Sequence, residues 1–296
     1  MAEELVYKNK ISTRVEGYWY LVGKRLKKHK LAIFSIVLLS VIILLCVVGP
    51  YFTRYTMNEM GSAIDVLQAP SLKHWFGTDE LGRDVLTRIF LGGRISLLIG
   101  FSSVFSALIV GITVGAYAGY YGGILDTVLM RFTDIMFSIP VLPLLVVLSA
   151  VIPGAGVWKI VLVIAIFGWM MDARIIRALI LSLRESEYIE AAKAVGDSST
   201  RVIWRHLLPN SLAPIIVSAT LGVGGNIIYE AALSYLGFGV MPPTPSWGNM
   251  LQNAQYAMAT APWLVWPPGL AILFTVLSFN FMGDGLRDAM DPKLYR

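Results

Sequence analysis

The chain has 296 residues, 56% of them hydrophobic and only 15% charged, with a mean hydropathy of +0.67 and a net charge of +5. Soluble domains carry about 25% charged residues, so this composition describes an all-α integral membrane protein. It excludes an ordinary soluble enzyme and gives no footing for nucleic-acid binding. The single cysteine, Cys46, can form no internal disulfide, and His29, His74 and His206 lack metal-ligand spacing. No catalytic residue, metal site or resident cofactor is expected in this chain.

Residues 1–30 form a basic segment, with eight Lys or Arg residues before the first apolar run. Tyr18, Trp19, Tyr20, Leu21 and Val22 interrupt the charges, which predicts an amphipathic interfacial helix. The glycine and lysine between Gly17 and Lys24 have the wrong spacing for a phosphate-binding loop, and Arg25 stands where Ser or Thr is required. With no other candidate nucleotide site, ATP would have to be handled by another chain. The run from Leu31 to Thr53 is uncharged for 23 residues. That is too long for the apolar region of a secretory signal, about 7–15 residues, and long enough to span a bilayer. The expectation is a retained first span at about 31–53 with its N-terminus in the cytoplasm.

Residues 54–94 read as a polar external insertion containing GTDELGRDVL. Asp79 with Arg83, and Asp84 with Arg88, are four apart and would pair along one helix face. That pairing argues against a metal site built from His74, Asp79, Glu80 and Asp84. A second span is expected at 95–120, within the uncharged stretch Ile95–Leu125. Its row Gly111, Gly115 and Gly119 would allow close helix packing. A third span is expected at 135–152, kinked by Pro140 and Pro143.

The fourth span has an uncharged core, Ile160–Met171, of only 12 residues. It is expected to run over about 158–182, through Asp172, Arg174 and Arg177, with a re-entrant segment as the rival reading. Those three charges would then sit at the inner boundary or face a water-filled pathway. A polar stretch over 186–206 follows. Helix-forming residues from Glu187 to Val195 end at Gly196, and Asp197 and Ser198 can cap a second helix before Pro209. Further spans are expected at 211–235 and 263–283, separated by a charge-free external loop over 237–262. Gly222, Gly224 and Gly225 would again permit close packing. Glu230 is the only acidic residue between His206 and Gly283, which makes it a candidate gate residue. The basic N-terminal segment and the charged end place both termini on the cytoplasmic side.

The stretch Glu190, Ala191, Ala192, with Gly196, Leu208 and Pro209 downstream, resembles the EAA loop of ABC importer permeases. GTDELGRDVL, PPTPSWGNML and GDGLRDAMDP extend the likeness over nearly the whole chain. Together they are similar to the DppC/OppC-type permease subunits of the dipeptide, oligopeptide and nickel importers. The resemblance implies a six-helix permease domain over 31–296 in the prokaryotic inner membrane. Glu190, Ala191, Ala192, Lys193, Gly196, Leu208 and Pro209 would couple it to a cytoplasmic ATPase. It further implies a second homologous permease, two ATPase subunits that bind ATP and Mg, and an external solute-binding protein. Peptide is the commonest substrate of such proteins, with nickel and oligosaccharides the alternatives. A stand-alone secondary transporter would need intramembrane ion sites, for which only Glu230 and Asp172 offer themselves. A membrane-embedded enzyme lacks a convergent catalytic set.

Overall fold

A computed structural model of the chain describes residues 17–154 and 156–291. The first basic residues and the terminal Lys293 and Arg296 lie outside the described residues. The described residues are helical throughout their ordered elements, with one isolated bridge between Thr78 and Asp84.

A short helix, α1 (Tyr18–Leu26), precedes the apolar α2 (Lys30–Phe52), whose first turn is capped by the His29 ring accepting from Ala32 N at 3.2 Å. Next come α3 (Val85–Tyr121), α4 (Gly123–Ser138), α5 (Val141–Val151) and α6 (Val157–Leu183). The polar stretch supplies α7 (Glu187–Ala194), then α8 (Ser199–Arg201), a π-helical turn (Val202–Leu207) and α9 (Leu208–Asn210). The chain closes with α10 (Leu212–Tyr235), α11 (Trp247–Ala254) and α12 (Trp266–Met290).

Among the described residues, four helices are long and apolar enough to cross a membrane, and a bent pair makes a possible fifth. Helix α6 has 27 residues, or about 40 Å, but carries Lys159, Asp172, Arg174 and Arg177. It is continuous, so the re-entrant alternative for this segment is not what forms.

Several boundaries differ from expectation. Helix α3 starts at Val85, ten residues before the expected 95, because the Asp84 carboxylate accepts from Thr87 N at 2.8 Å and caps the helix there. The expected pairing of Asp84 with Arg88 does not occur. Asp84 bonds Thr87 and, at 2.9 Å, His74, while Arg88 lies 3.5 Å from Asp79. Asp79 and Arg83 do pair at 2.7 Å, but in the loop before the helix. No metal-binding group occurs among the described residues.

The expected third span, 135–152, is not one helix. Helices α4 and α5 meet at 89°. Ile139 is extended (φ −89°, ψ 128°), as a residue before proline prefers, and Pro140 offers no N–H to continue α4. At 11 residues α5 is about 16 Å long, half of a hydrocarbon core of about 30 Å. The last helix runs beyond the expected 283 to Met290, and the 237–262 loop contains α11.

The core is set by small residues. Helices α3 and α6 run parallel in register, with Ala107, Gly111, Gly115 and Gly119 laid along α6. A Cβ at Gly111 would stand 2.8 Å from Asp172 Cβ, and one at Gly119 2.8 Å from the Arg177 carbonyl. Ala107 in turn faces Gly168. In a bilayer this backbone approach replaces the hydrophobic drive as the source of helix association. Gly224 packs on Phe279 and Gly222 on Val104, whereas a Cβ at Gly225 would meet nothing.

The bundle has two distinct ends. At one end α1 packs on the last turn of α12 and the first two turns of α10, through Val22, Ala289, Met290, Ala213 and Val217. The polar stretch containing α7 lies at this same end, since it leads directly into α10. The loop before α3, helix α11 and the start of α12 form the other end, where Val85, Met250, Ala254 and Leu264 share a core.

Candidate functional site

Helix α7 is built as a rigid, outward-facing element. Its C-terminus closes with the hydrogen bonds of a Schellman turn: Gly196 N donates to Lys193 O and Asp197 N to Ala192 O, both at 3.0 Å. Gly196 has φ +95°, a conformation that L side chains rarely adopt. Beyond the turn, Asp197 accepts from Arg201 Nη1 at 3.0 Å and lies 2.9 Å from His206 Nε2. The Arg201 guanidinium, and then His206, hold the Asp197 carboxyl below the usual carboxylate range. Ser198 caps α8 by accepting from Arg201 N.

One face of this helix–turn–helix is inside and the other outside. Ile189, Val202, Ile203 and Leu207 are fully buried against Ala116 of α3 and Ile176 and Ile180 of α6. Leu208 is also buried, and Pro209 is exposed. Glu190, Ala191, Lys193 and Val195 are exposed, Ala192 half-buried, and Val195 keeps 89% of its surface open. The Lys193 ammonium stands 5.5 Å from the centre of the Tyr120 ring. The inner face is therefore bolted to the paired α3 and α6 helices, and the outer face presents Ala191 and Val195 to solvent together with the charges of Glu190 and Lys193.

Glu230 occupies the opposite end and is wholly buried. Its Oε2 accepts from Ser96 Oγ of α3 at 2.8 Å, and its Oε1 from Ser234 Oγ, one turn further along α10, at 2.7 Å. The same hydroxyls accept from the following loop: Trp247 N donates to Ser96 Oγ at 3.2 Å, and Val240 N to Ser234 Oγ at 3.1 Å. Ser246 and Asn249 cap α11 reciprocally, and Trp247 Nε1 donates to Ile89 O at 3.0 Å. No cation pairs with Glu230 among the described residues. The buried carboxyl thus joins α3, α10 and the loop that carries α11.

The other charged candidates are not brought to Glu230. Asp172 accepts from Ser218 Oγ at 2.5 Å, and Ser218 lies twelve residues before Glu230, about 18 Å along α10. Arg174 pairs with Asp134 at 2.6 Å and packs over the Phe137 ring. Arg177 holds Asp126 with two bonds, at 2.5 and 2.6 Å. Asp126 and Asp134 are about 12 Å apart along α4, but their partners are only about 4.5 Å apart along α6. Helix α4 therefore crosses α6 obliquely, held by these two ion pairs and by the Phe132 ring stacked on Trp169, 6.2 Å between centroids.

Sequence reasoning missed Ser96, 134 residues from Glu230, and Ser246 and Trp247, which lie beyond the following loop. Ser234, at i+4 from Glu230, was readable as a same-face neighbour. Arg94 was also missed. Its Nε donates to Cys46 O at 2.7 Å and its Nη2 to Val47 O.

Residues 111–296 match the family described as binding-protein-dependent transport system inner membrane component, and residues 17–70 match the N-terminal TM domain of oligopeptide transport permease C. The dipeptide transport system permease protein DppC of Alkalihalophilus pseudofirmus is 45% identical over 93% of this chain and 90% of its own. The oligopeptide transport system permease protein OppC of Bacillus subtilis is 38% identical over 96% and 93%, respectively. Among solved structures, a chain of the inward-facing MetNI methionine ABC transporter superposes with a TM-score of 0.57, covering 70% of this chain and 96% of that one. At 22% identity that likeness speaks for the fold alone.

Proposed function

The chain belongs to the binding-protein-dependent ABC transport permeases, and on that premise we propose that it forms part of the membrane pathway of an ATP-driven importer of di- or oligopeptides. The observation that carries this reading is the two-sided α7 element. Its inner face is packed on α3 and α6, and its outer face, with Glu190, Ala191 and Val195, is shaped to enter a groove on another protein. A cytoplasmic ATPase subunit would push on that face. The push would pass through Ile189, Val202 and Ile203 into the two helices that line up in parallel behind them. ATP and Mg belong to the ATPase subunits, and this chain supplies no catalysis.

In this reading the α1 and α7 end is cytoplasmic, with both termini there. The end carrying the loop before α3 and α11 faces outside, toward a solute-binding protein. A second, homologous permease completes the pathway. Glu230 serves as part of the external gate, because its hydrogen bonds tie the outer ends of α3 and α10 to the loop holding α11. The oblique α4, with Arg174 and Arg177, borders the pathway on the cytoplasmic side.

Gly196→Leu tests the coupling assignment. Leucine at a positive φ costs about 1 kcal/mol locally, and its side chain points into open space where the partner would dock. The variant should reach the membrane and pair with the second permease, yet lose ATPase subunits on purification and lose peptide uptake. Normal ATPase retention together with normal uptake would refute the assignment.

A further inference from the structure

The α1 and α12 corner contains a cleft of about 330 Å³ lined by Arg25, Lys28, His29, Gly285, Asp288 and Ala289. This volume falls at the low end of the range for small-ligand sites. The cleft lies next to Lys30, where the apolar α2 begins, so it sits at headgroup depth for a span of that length. Gly285 forms its floor: a Cβ there would clash with Ala32 and stand 3.5 Å from both His29 Nδ1 and Leu26 Cδ1.

The polar groups around it have divided roles. His29 is committed on both sides, its Nδ1 accepting from Ala32 N and its Nε2 lying 3.5 Å from Asp288 Oδ2. Arg25 Nη1 donates to the Asp291 carbonyl at 3.3 Å. The side chains of Lys27, Lys28 and Lys30 have no ion-pair partner among the described residues, and all three are exposed. Earlier on α1, Trp19 and Tyr20 are exposed, at 55% and 60%, while Val22 is buried. An aromatic, basic helix of this kind lies in the membrane interface.

We propose that this cleft binds the headgroup of an anionic phospholipid, with the phosphodiester against Lys28 and the Arg25 guanidinium and a headgroup hydroxyl donating to Asp288. Lys28, with Lys27 and Lys30 near it in the chain, supplies the attraction for the phosphate. The exposed Asp288 carboxylate selects a headgroup that brings hydroxyls rather than a second anion. The exposed aromatic rings of α1 flank the acyl chains. The assignment rests on the membrane-permease reading only for which leaflet is meant.

A photoactivatable phosphatidylglycerol, added to the assembled transporter in phosphatidylcholine nanodiscs, tests it. Crosslinks should map to residues 24–30 and to the last turns of α12. Unlabelled phosphatidylglycerol should compete, and phosphatidylcholine or millimolar inorganic phosphate should not. Lys28→Gln should lower the yield at subsaturating probe about fivefold, the ratio that about 1 kcal/mol for one interfacial lysine represents. Lys159→Gln, at the other end of the bundle, should leave it unchanged. Competition by phosphate alone would assign the cleft to a soluble anion and overturn the lipid proposal. Equal competition by phosphatidylcholine, or an equal loss with Lys159→Gln, would overturn it as well. Peptide uptake by the same wild-type complex, measured separately, reports on the permease reading without depending on the crosslink.

Discussion

Pro50 lies inside α2, and its missing N–H leaves the Cys46 carbonyl without the donor an α-helix would provide. Arg94, reaching across from α3, donates to that carbonyl at 2.7 Å and to Val47 O beside it. Its guanidinium also stands 5.5 Å from the centre of the Tyr51 ring. Arg94→Ala should therefore leave a carbonyl unsatisfied, at about 1–3 kcal/mol, and lose a cation–π contact of about 0.5–1 kcal/mol. Together the loss is about 1.5–4 kcal/mol. Pro50→Ala restores a backbone N–H that can reach Cys46 O from within α2. In that background Arg94→Ala should cost less, because the carbonyl keeps a partner. The assay is a double-mutant cycle on the purified permease pair, unfolded reversibly by SDS in mixed micelles. A coupling energy of about 1–2 kcal/mol is expected. Additivity of the two changes within about 0.5 kcal/mol would show that Arg94 does not serve the carbonyl freed by Pro50.

Gly115→Ala should destabilise the bundle by about 1–3 kcal/mol, since a Cβ there runs into the Ala173 carbonyl and stands 3.0 Å from Ile176 Cβ; Gly225→Ala, with open space around it, should be silent in the same SDS titration. Asp65 is held down to about 2, chiefly by the Ser62 hydroxyl and then by Lys73. A carboxyl depressed on folding adds stability above its unfolded pKa near 4 and loses it as pH falls toward 2. Protease nicking of the loop before α3 should thus rise as pH drops through that window, and Asp65→Asn should remove the dependence. Glu230→Ala should raise basal ATPase activity of the assembled transporter and weaken its stimulation by loaded binding protein, with Glu230→Gln doing less. Unchanged rates in both variants would leave the carboxyl a purely structural tie.

The sequence was informative where a local rule had few competitors. The Gly111, Gly115 and Gly119 row announced a close helix contact, and α6 lies against it. Gly196 after the helix-forming stretch Glu187–Val195 announced a glycine turn, and the residue has a positive φ. Boundaries failed where a side chain overrode composition: capped by Asp84, α3 starts at Val85, ten residues before the uncharged run begins. They also failed where a backbone break divided an apolar run. Pro140 was readable as a kink, but not the 89° angle, nor that Asp126 and Asp134 of the first arm would find Arg177 and Arg174, partners 51 and 40 residues away. The surroundings of Glu230 were out of reach for the same reason. Ser96 is 134 residues distant, and its hydroxyl is one of many in apolar helices. The pairing of Arg94 with the carbonyls before Pro50 needed the α2–α3 contact to be known first.

The most direct test of the account is uptake of labelled di- and oligopeptides by cells that lack this chain, with and without its restoration alongside the partner subunits. Restored peptide uptake that stops when ATP is depleted, survives collapse of the proton gradient and is lost with Gly196→Leu is the predicted result. Uptake that persists without ATP and fails when the gradient collapses would mark a secondary transporter and contradict the account.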